Sequence, residues 1–159
     1  MDWLWAYVNY DGTDPGRFFV FPDEVTDWRV DLRRDLGIEG PVVAFNWRTD
    51  EATVVERAFD LPRIEHLYDF DYLVLAPILA NGMALLGETG KFVTVADKRF
   101  DRIEAQADAI RVRLVGAPGE TVALSVYDAE RRAMLAPVSV TIGPDGAATG
   151  ASIARLRAS

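Results

Sequence analysis

The sequence predicts an all-β protein: an antiparallel β-sandwich of about ten strands with one short helix. Three observations predict it. Apolar side chains recur at every second residue through most of the second half of the chain. Turn-forming stretches rich in Gly, Pro and Asp separate those alternating runs at short intervals. Residues 73–100 place three short apolar runs between the turns Asn81-Gly82 and Thr89-Gly90, the punctuation of antiparallel strands.

In chain order, strands are expected at 3–10, 17–21, 42–47, 53–61 and 66–79. The breaks are Asp11-Gly12-Thr13-Asp14-Pro15-Gly16 and Arg48-Thr49-Asp50-Glu51. Residues 28–36 carry two patterns. Trp28, Leu32 and Leu36 fall on one helical stripe, with Asp27 placed to cap it and Gly37 to end it. Trp28, Val30 and Leu32 also alternate as a strand would; the helix is the expectation. Further on, Ile110, Val112 and Leu114 alternate with Arg111 and Arg113, which must face water. Val122, Leu124 and Val126 alternate with Thr121, Ala123 and Ser125, and Val138, Val140 and Ile142 with Ser139 and Thr141. A last strand is expected near 147–153. Between 100 and 109 the apolar parity (Ile103, Ala105, Ala107, Ala109) is opposite to that of Ile110–Leu114, so a bulge or tight turn is required near Asp108.

A chain of 159 residues can bury a core of its own, and 1–159 reads as a single β-sandwich domain. Composition shifts near Gly90, with all four Trp before it. The net charge of −8 disfavours nucleic acid and anionic lipid as partners. The longest strongly apolar run, 73–79, is too short to cross a bilayer. The absence of Cys excludes disulfides and thiolate chemistry. With no secretory pattern at Met1-Asp2-Trp3-Leu4-Trp5, a cytoplasmic location is expected.

Catalytic constellations are sparse. The single histidine, His66, has no serine in a nucleophile elbow to serve, and Ser125 and Ser139 fall mid-strand on faces expected to be wet. In an extended strand His66 points away from Glu65, Asp69 and Asp71, so no metal site is expected. Gly87-Glu88-Thr89-Gly90-Lys91 lacks the upstream Gly and the following Ser or Thr of a phosphate loop, and no cofactor is expected. Two candidate sites remain. Asp69, Asp71 and Glu88 are a candidate acidic cluster, against the plainer reading of a solvated strand edge and a turn acid beside Lys91. Trp3, Trp5 and Tyr7, sharing one strand face, are a candidate sugar-stacking platform, with Trp28 and Trp47 as further members; the plainer reading is core or interface.

Several phrases carry a family likeness. They are Pro41-Val42-Val43-Ala44-Phe45-Asn46-Trp47, the stretch 72–78 with its Tyr72 and Pro77-Ile78, Ala84-Leu85-Leu86-Gly87, and the strands at 110–114 and 121–126. In these the chain resembles the C-terminal β-sandwich module of raffinose-synthase and α-galactosidase-type glycoside hydrolases. The family's Asn-Cys/Trp-Gln-Gly region is not reproduced, since Arg48-Thr49-Asp50 follows Trp47. The resemblance implies a sandwich that sits behind a catalytic barrel, and no catalytic residue carries over from it. The functional expectation is therefore a non-catalytic accessory domain that packs against a catalytic domain or a second copy of itself. A carbohydrate-binding module and a small carboxylate-dependent enzyme are the alternatives.

Overall fold

The computed structural model describes residues 4–7, 16–20, 29–61, 71–92 and 99–155, the first two stretches as backbone only. Two compact units divide the chain at Pro77/Ile78. The division falls upstream of the compositional shift near Gly90. Both units are built almost wholly of antiparallel strands, as the alternation requires.

The first unit holds β1 (Leu4–Tyr7), β2 (Gly16–Val20), β3 (Arg29–Asp31), α1 (Leu32–Leu36), β4 (Val42–Asn46), β5 (Glu51–Val55), β6 (Ala58–Asp60) and β7 (Asp71–Pro77). A five-stranded sheet runs β1-β2-β7-β4-β5, and β3 pairs with β6 in a separate ladder. β7 lies at the centre of the sheet and is buried from Asp71 to Ala76, which explains why it reads as a continuous apolar run and not an alternating one. Leu73 and Leu75 of β7, Val42 of β4 and Val55 of β5 form one core with Val30, Leu32 and Ile38.

Both patterns read at 28–36 are realised, one after the other. Arg29–Asp31 is strand because it pairs with Ala58–Asp60, and Leu32–Leu36 is helix. The cap is Asp31, not Asp27: its Oδ1 accepts the N–H groups of Arg33 at 3.1 Å and Arg34 at 2.9 Å. Asp27 and Trp28 lie outside the described residues. Gly37 ends the helix as expected, in the left-handed conformation at φ 68°, so that the Ile38 N–H returns to the Leu32 carbonyl at 2.8 Å. The single strand expected at 53–61 is broken at Glu56-Arg57 into β5 and β6, where the Arg57 carbonyl accepts the N–H of Leu32 at 2.8 Å.

The second unit holds β8 (Met83–Gly87), β9 (Phe100–Gln106), β10 (Ala109–Val115), β11 (Thr121–Asp128), β12 (Ala133–Met134), β13 (Val138–Thr141) and β14 (Ala147–Ala154). β10 is the middle strand of a three-stranded sheet with β9 and β14, while β11 pairs with β8, β12 and β13. The inner faces of these two layers supply one core: Phe100, Ile110, Val112, Leu114 and Ile153 from the first, Met83, Leu85, Val122, Leu124 and Val126 from the second. This is the sandwich the alternation predicts. Arg111 and Arg113 are exposed as required. The parity conflict near Asp108 is resolved by a turn at Ala107-Asp108, which brings Gln106 opposite Ala109.

One expectation is corrected. Ser125 is not on a wet face: β11 is buried continuously from Leu124 to Asp128, and the Ser125 hydroxyl is hydrogen-bonded to that of Thr89 at 2.7 Å. Asn81-Gly82 does form a turn, the Gly82 N–H donating to the Leu79 carbonyl and the Leu79 N–H to that of Met83, both at 2.9 Å, although β7 pairs with β2 and β4 while β8 pairs with β11. The Asn81 side chain also bridges to the β9–β10 turn, its Nδ2 donating to the carbonyls of Gln106 at 2.8 Å and Ala109 at 2.9 Å. Among the described residues no helix is long and apolar enough to cross a membrane.

Candidate functional site

The acids singled out from the sequence are each held by neighbours of their own. Asp71, at the start of β7, is buried and accepts a hydrogen bond from Asn46 Nδ2 at 3.0 Å. Glu88 belongs to the second unit, where its carboxylate meets Lys91 Nζ at 2.6 Å and Arg99 Nε at 3.0 Å. Asp69 and His66 lie outside the described residues. Trp5 and Tyr7 are on β1, the outer strand of the five-stranded sheet, opposite Phe19 and Arg17; Trp3 and Trp28 lie outside the described residues. Trp47 stacks edge-on against Tyr72, ring centres 6.5 Å apart, and Tyr72 is core. Among the described residues no group of three or more His, Cys, Asp or Glu is placed to hold a metal ion.

Two arginine–carboxylate networks organise the second unit. In one, Arg99 Nη2 donates to Glu120 Oε1 at 2.8 Å and Nη1 to Oε2 at 2.9 Å, while Lys91 reaches Glu120 at 3.3 Å. The Arg99 guanidinium, followed by Lys91, holds Glu120 at a pKa of about 2. The Lys91 ammonium is pushed up in turn, first by Glu88. In the other network Asp128 is fully buried. Its Oδ1 accepts the N–H groups of Glu130 and Arg131 at 3.1 and 3.2 Å, and its Oδ2 lies 3.0 Å from Arg155 Nε. That approach is off the hydrogen-bonding direction and is a charge contact only. Arg155 goes on to donate to Glu130 Oε2 and to the Asn81 carbonyl, both at 2.6 Å, tying the end of β14 to the turn before β8.

In the first unit the charges surround open space instead. A cleft of about 720 Å³ is lined by Arg29, Arg34, Val54, Arg57, Phe59 and their neighbours. Asp31 organises one wall. Besides capping α1 it receives Arg57 Nε on Oδ2 at 3.2 Å, and the Arg34 N–H, then Arg57, lower its pKa. Arg34 grips Asp35 with Nε at 2.7 Å and Nη2 at 2.8 Å, which with the Asp31 N–H brings Asp35 down to about 2. On the other wall Arg29 Nη1 donates to both oxygens of Asp60, at 3.0 and 3.1 Å, across the β3–β6 ladder. All three arginines are more than half exposed. Chemically the cleft offers guanidinium donors and backbone, with the Asp31 and Asp35 carboxyls held below the usual carboxylate range.

Sequence reasoning did not find this cleft. Arg29, Arg34 and Arg57 converge only because β3 pairs with β6, a register that no local pattern announces. No protein-family model matches the chain, and a comparison with curated proteins finds no match either.

Proposed function

We propose that this chain is a non-catalytic accessory module that works by packing against a partner, a catalytic domain or a second copy. One observation carries the reading. Among the described residues the carboxylates whose acidity departs from the ordinary range, Asp31, Asp35 and Glu120, all depart downward, under arginine and backbone N–H donors. A glycosidase acid or a general base working near neutrality needs the opposite shift, upward, from burial or a like charge. Donor-rich carboxylates of this kind suit binding and scaffolding, in keeping with the resemblance to a glycosidase's supporting module.

The test is direct. The purified chain, incubated with a panel of aryl glycosides, is expected to release no aryl alcohol above a buffer blank. Turnover that Glu88→Gln or Asp71→Asn abolishes would overturn the reading in favour of a carboxylate enzyme. The position of Trp5 and Tyr7 two residues apart on an outer strand favours a second reading, a carbohydrate-binding face. Glycan-array binding lost on Trp5→Ala would establish that reading, and an empty array would end it.

A further inference from the structure

We propose that the outer edge of β5 is a docking site for an extended peptide bearing carboxylates at alternate residues, which joins the first unit's sheet as an added strand. This deepens the accessory-module reading, on which it rests, by naming the chemistry of the partner.

Three features converge. The first is the edge itself. Among the described residues β5 pairs only with β4, so alternate residues of β5 turn their N–H and C=O groups outward. Thr53, Val54 and Val55 all line the cleft. Consecutive residues of a strand place their side chains on opposite faces, so a cleft bordered by all three runs along the strand's edge and not over one face. The second is room. The cleft's volume of about 720 Å³ continues from that edge to Ala58 and Phe59 of β6 and Arg29 of β3, and it falls in the range typical of ligand sites, ~300–1,000 Å³.

The third is charge. In a chain of net charge −8 this cleft gathers three arginines, each paired with an aspartate (Arg29 with Asp60, Arg34 with Asp35, Arg57 with Asp31) and with Glu56 beside them, so an incoming carboxylate is met by the guanidinium N–H groups those pairs leave over and not by an excess of positive charge. Among the described residues Arg57 donates to Asp31 through Nε alone and Arg29 to Asp60 through Nη1 alone, which leaves further guanidinium N–H groups for an incoming carboxylate. A second copy is the poorer occupant, because antiparallel pairing of two β5 edges would bring one arginine rim against the other. An uncharged strand would satisfy the backbone and leave those donors in water. Backbone addition with side-chain selection at alternate positions is a recurrent mode of peptide recognition.

Fluorescence anisotropy with a labelled heptapeptide of alternating glutamate and valine tests the proposal on the whole chain. Binding is expected, and Arg57→Ala and Arg29→Ala together are expected to weaken it ~10-fold or more, with unchanged circular dichroism showing that the fold survives. The matching lysine–valine peptide is expected not to bind. Two further acidic peptides, N-methylated at odd or at even residues, separate strand addition from simple charge attraction: one is expected to lose binding and the other to keep it. Equal binding of the lysine peptide, equal binding of both N-methylated peptides, or no binding of the acidic peptide up to about 1 mM would overturn the proposal. So would a dimer, seen by light scattering, that Thr53→Pro dissolves, since a second copy would then own the edge. Failure of the peptide arms without glycoside turnover ends this inference alone; turnover ends the reading beneath it.

Discussion

The arginine–carboxylate pairs around the first unit's cleft and the Arg155–Asp128 pair of the second stand in opposite settings. In the first, Arg29, Arg34 and Arg57 hold Asp60, Asp35 and Asp31 around a cleft, with guanidinium groups largely in water. In the second, Arg155 is 14% exposed and its partner Asp128 0%. The difference decides what each pair does. An exposed pair is screened and exchangeable, worth about 0–1 kcal/mol, and is free to trade its carboxylate for that of a ligand. A buried pair stands in low dielectric, where loss of one partner strands the other charge.

The comparison breaks most visibly at Asp128. Asp128→Ala removes the acceptor of two backbone N–H groups and the buried carboxylate beside Arg155, leaving Arg155 the more exposed Glu130 carboxylate and the Asn81 carbonyl, and it is expected to cost about 3–5 kcal/mol, read as a fall in the urea midpoint or as failure to fold. Asn81→Ala comes next. It strips the carbonyls of Gln106 and Ala109 of their side-chain donor and the Met83 N–H of its acceptor, for an expected loss of about 1–3 kcal/mol by the same measurement. Smaller again is a pH effect. Glu120 has its folded pKa lowered from 4.5 to about 2 and Asp35 from 3.8 to about 2, so the stability they contribute is complete above those ordinary values. It is lost as pH falls through the window from 4.5 to about 2. Glu120→Gln should flatten the acid limb of a plot of thermal midpoint against pH, and an unchanged limb would mean that Glu120 is not held by Arg99. At the bottom of the scale, Arg29→Ala in the cleft is expected to shift stability by less than about 1 kcal/mol; a larger fall would show the first unit's pairs to be structural after all.

The second unit is the more legible in sequence, for a physical reason. Its strands β10 and β13 alternate between core and solvent, so Ile110, Val112 and Leu114 announce their inner face and Arg111 and Arg113 their outer one. The reversal of parity around Asp108 even locates the turn between β9 and β10. Ser125 escapes because its partner, Thr89, lies 36 residues away and nothing local marks the pairing. In the first unit β7 is buried on both faces and carries no alternation. The cap of α1 falls at Asp31 and not at Asp27 because the two aspartates are equivalent until β3 finds β6. The cleft arginines have ordinary surface surroundings in sequence; only the β3–β6 register gives them a common rim. Of the candidate acids, Asp71 and Glu88 are tethered by their own neighbours, as the plainer reading of Glu88 beside Lys91 anticipates.

α1 completes barely one turn before Gly37 swings the chain back and drops Ile38 into the core. It therefore behaves as a hinge pin of fixed length, not as an adjustable spacer. Each residue inserted into it would rotate the downstream chain by about 100° around the helix axis. That would lift Ile38 out of its socket and drag the Asp31–Arg57 clasp off the cleft wall. Length variation in this protein is accordingly expected to be tolerated at the Ala117–Gly119 turn of the second unit before it is tolerated between Asp31 and Ile38.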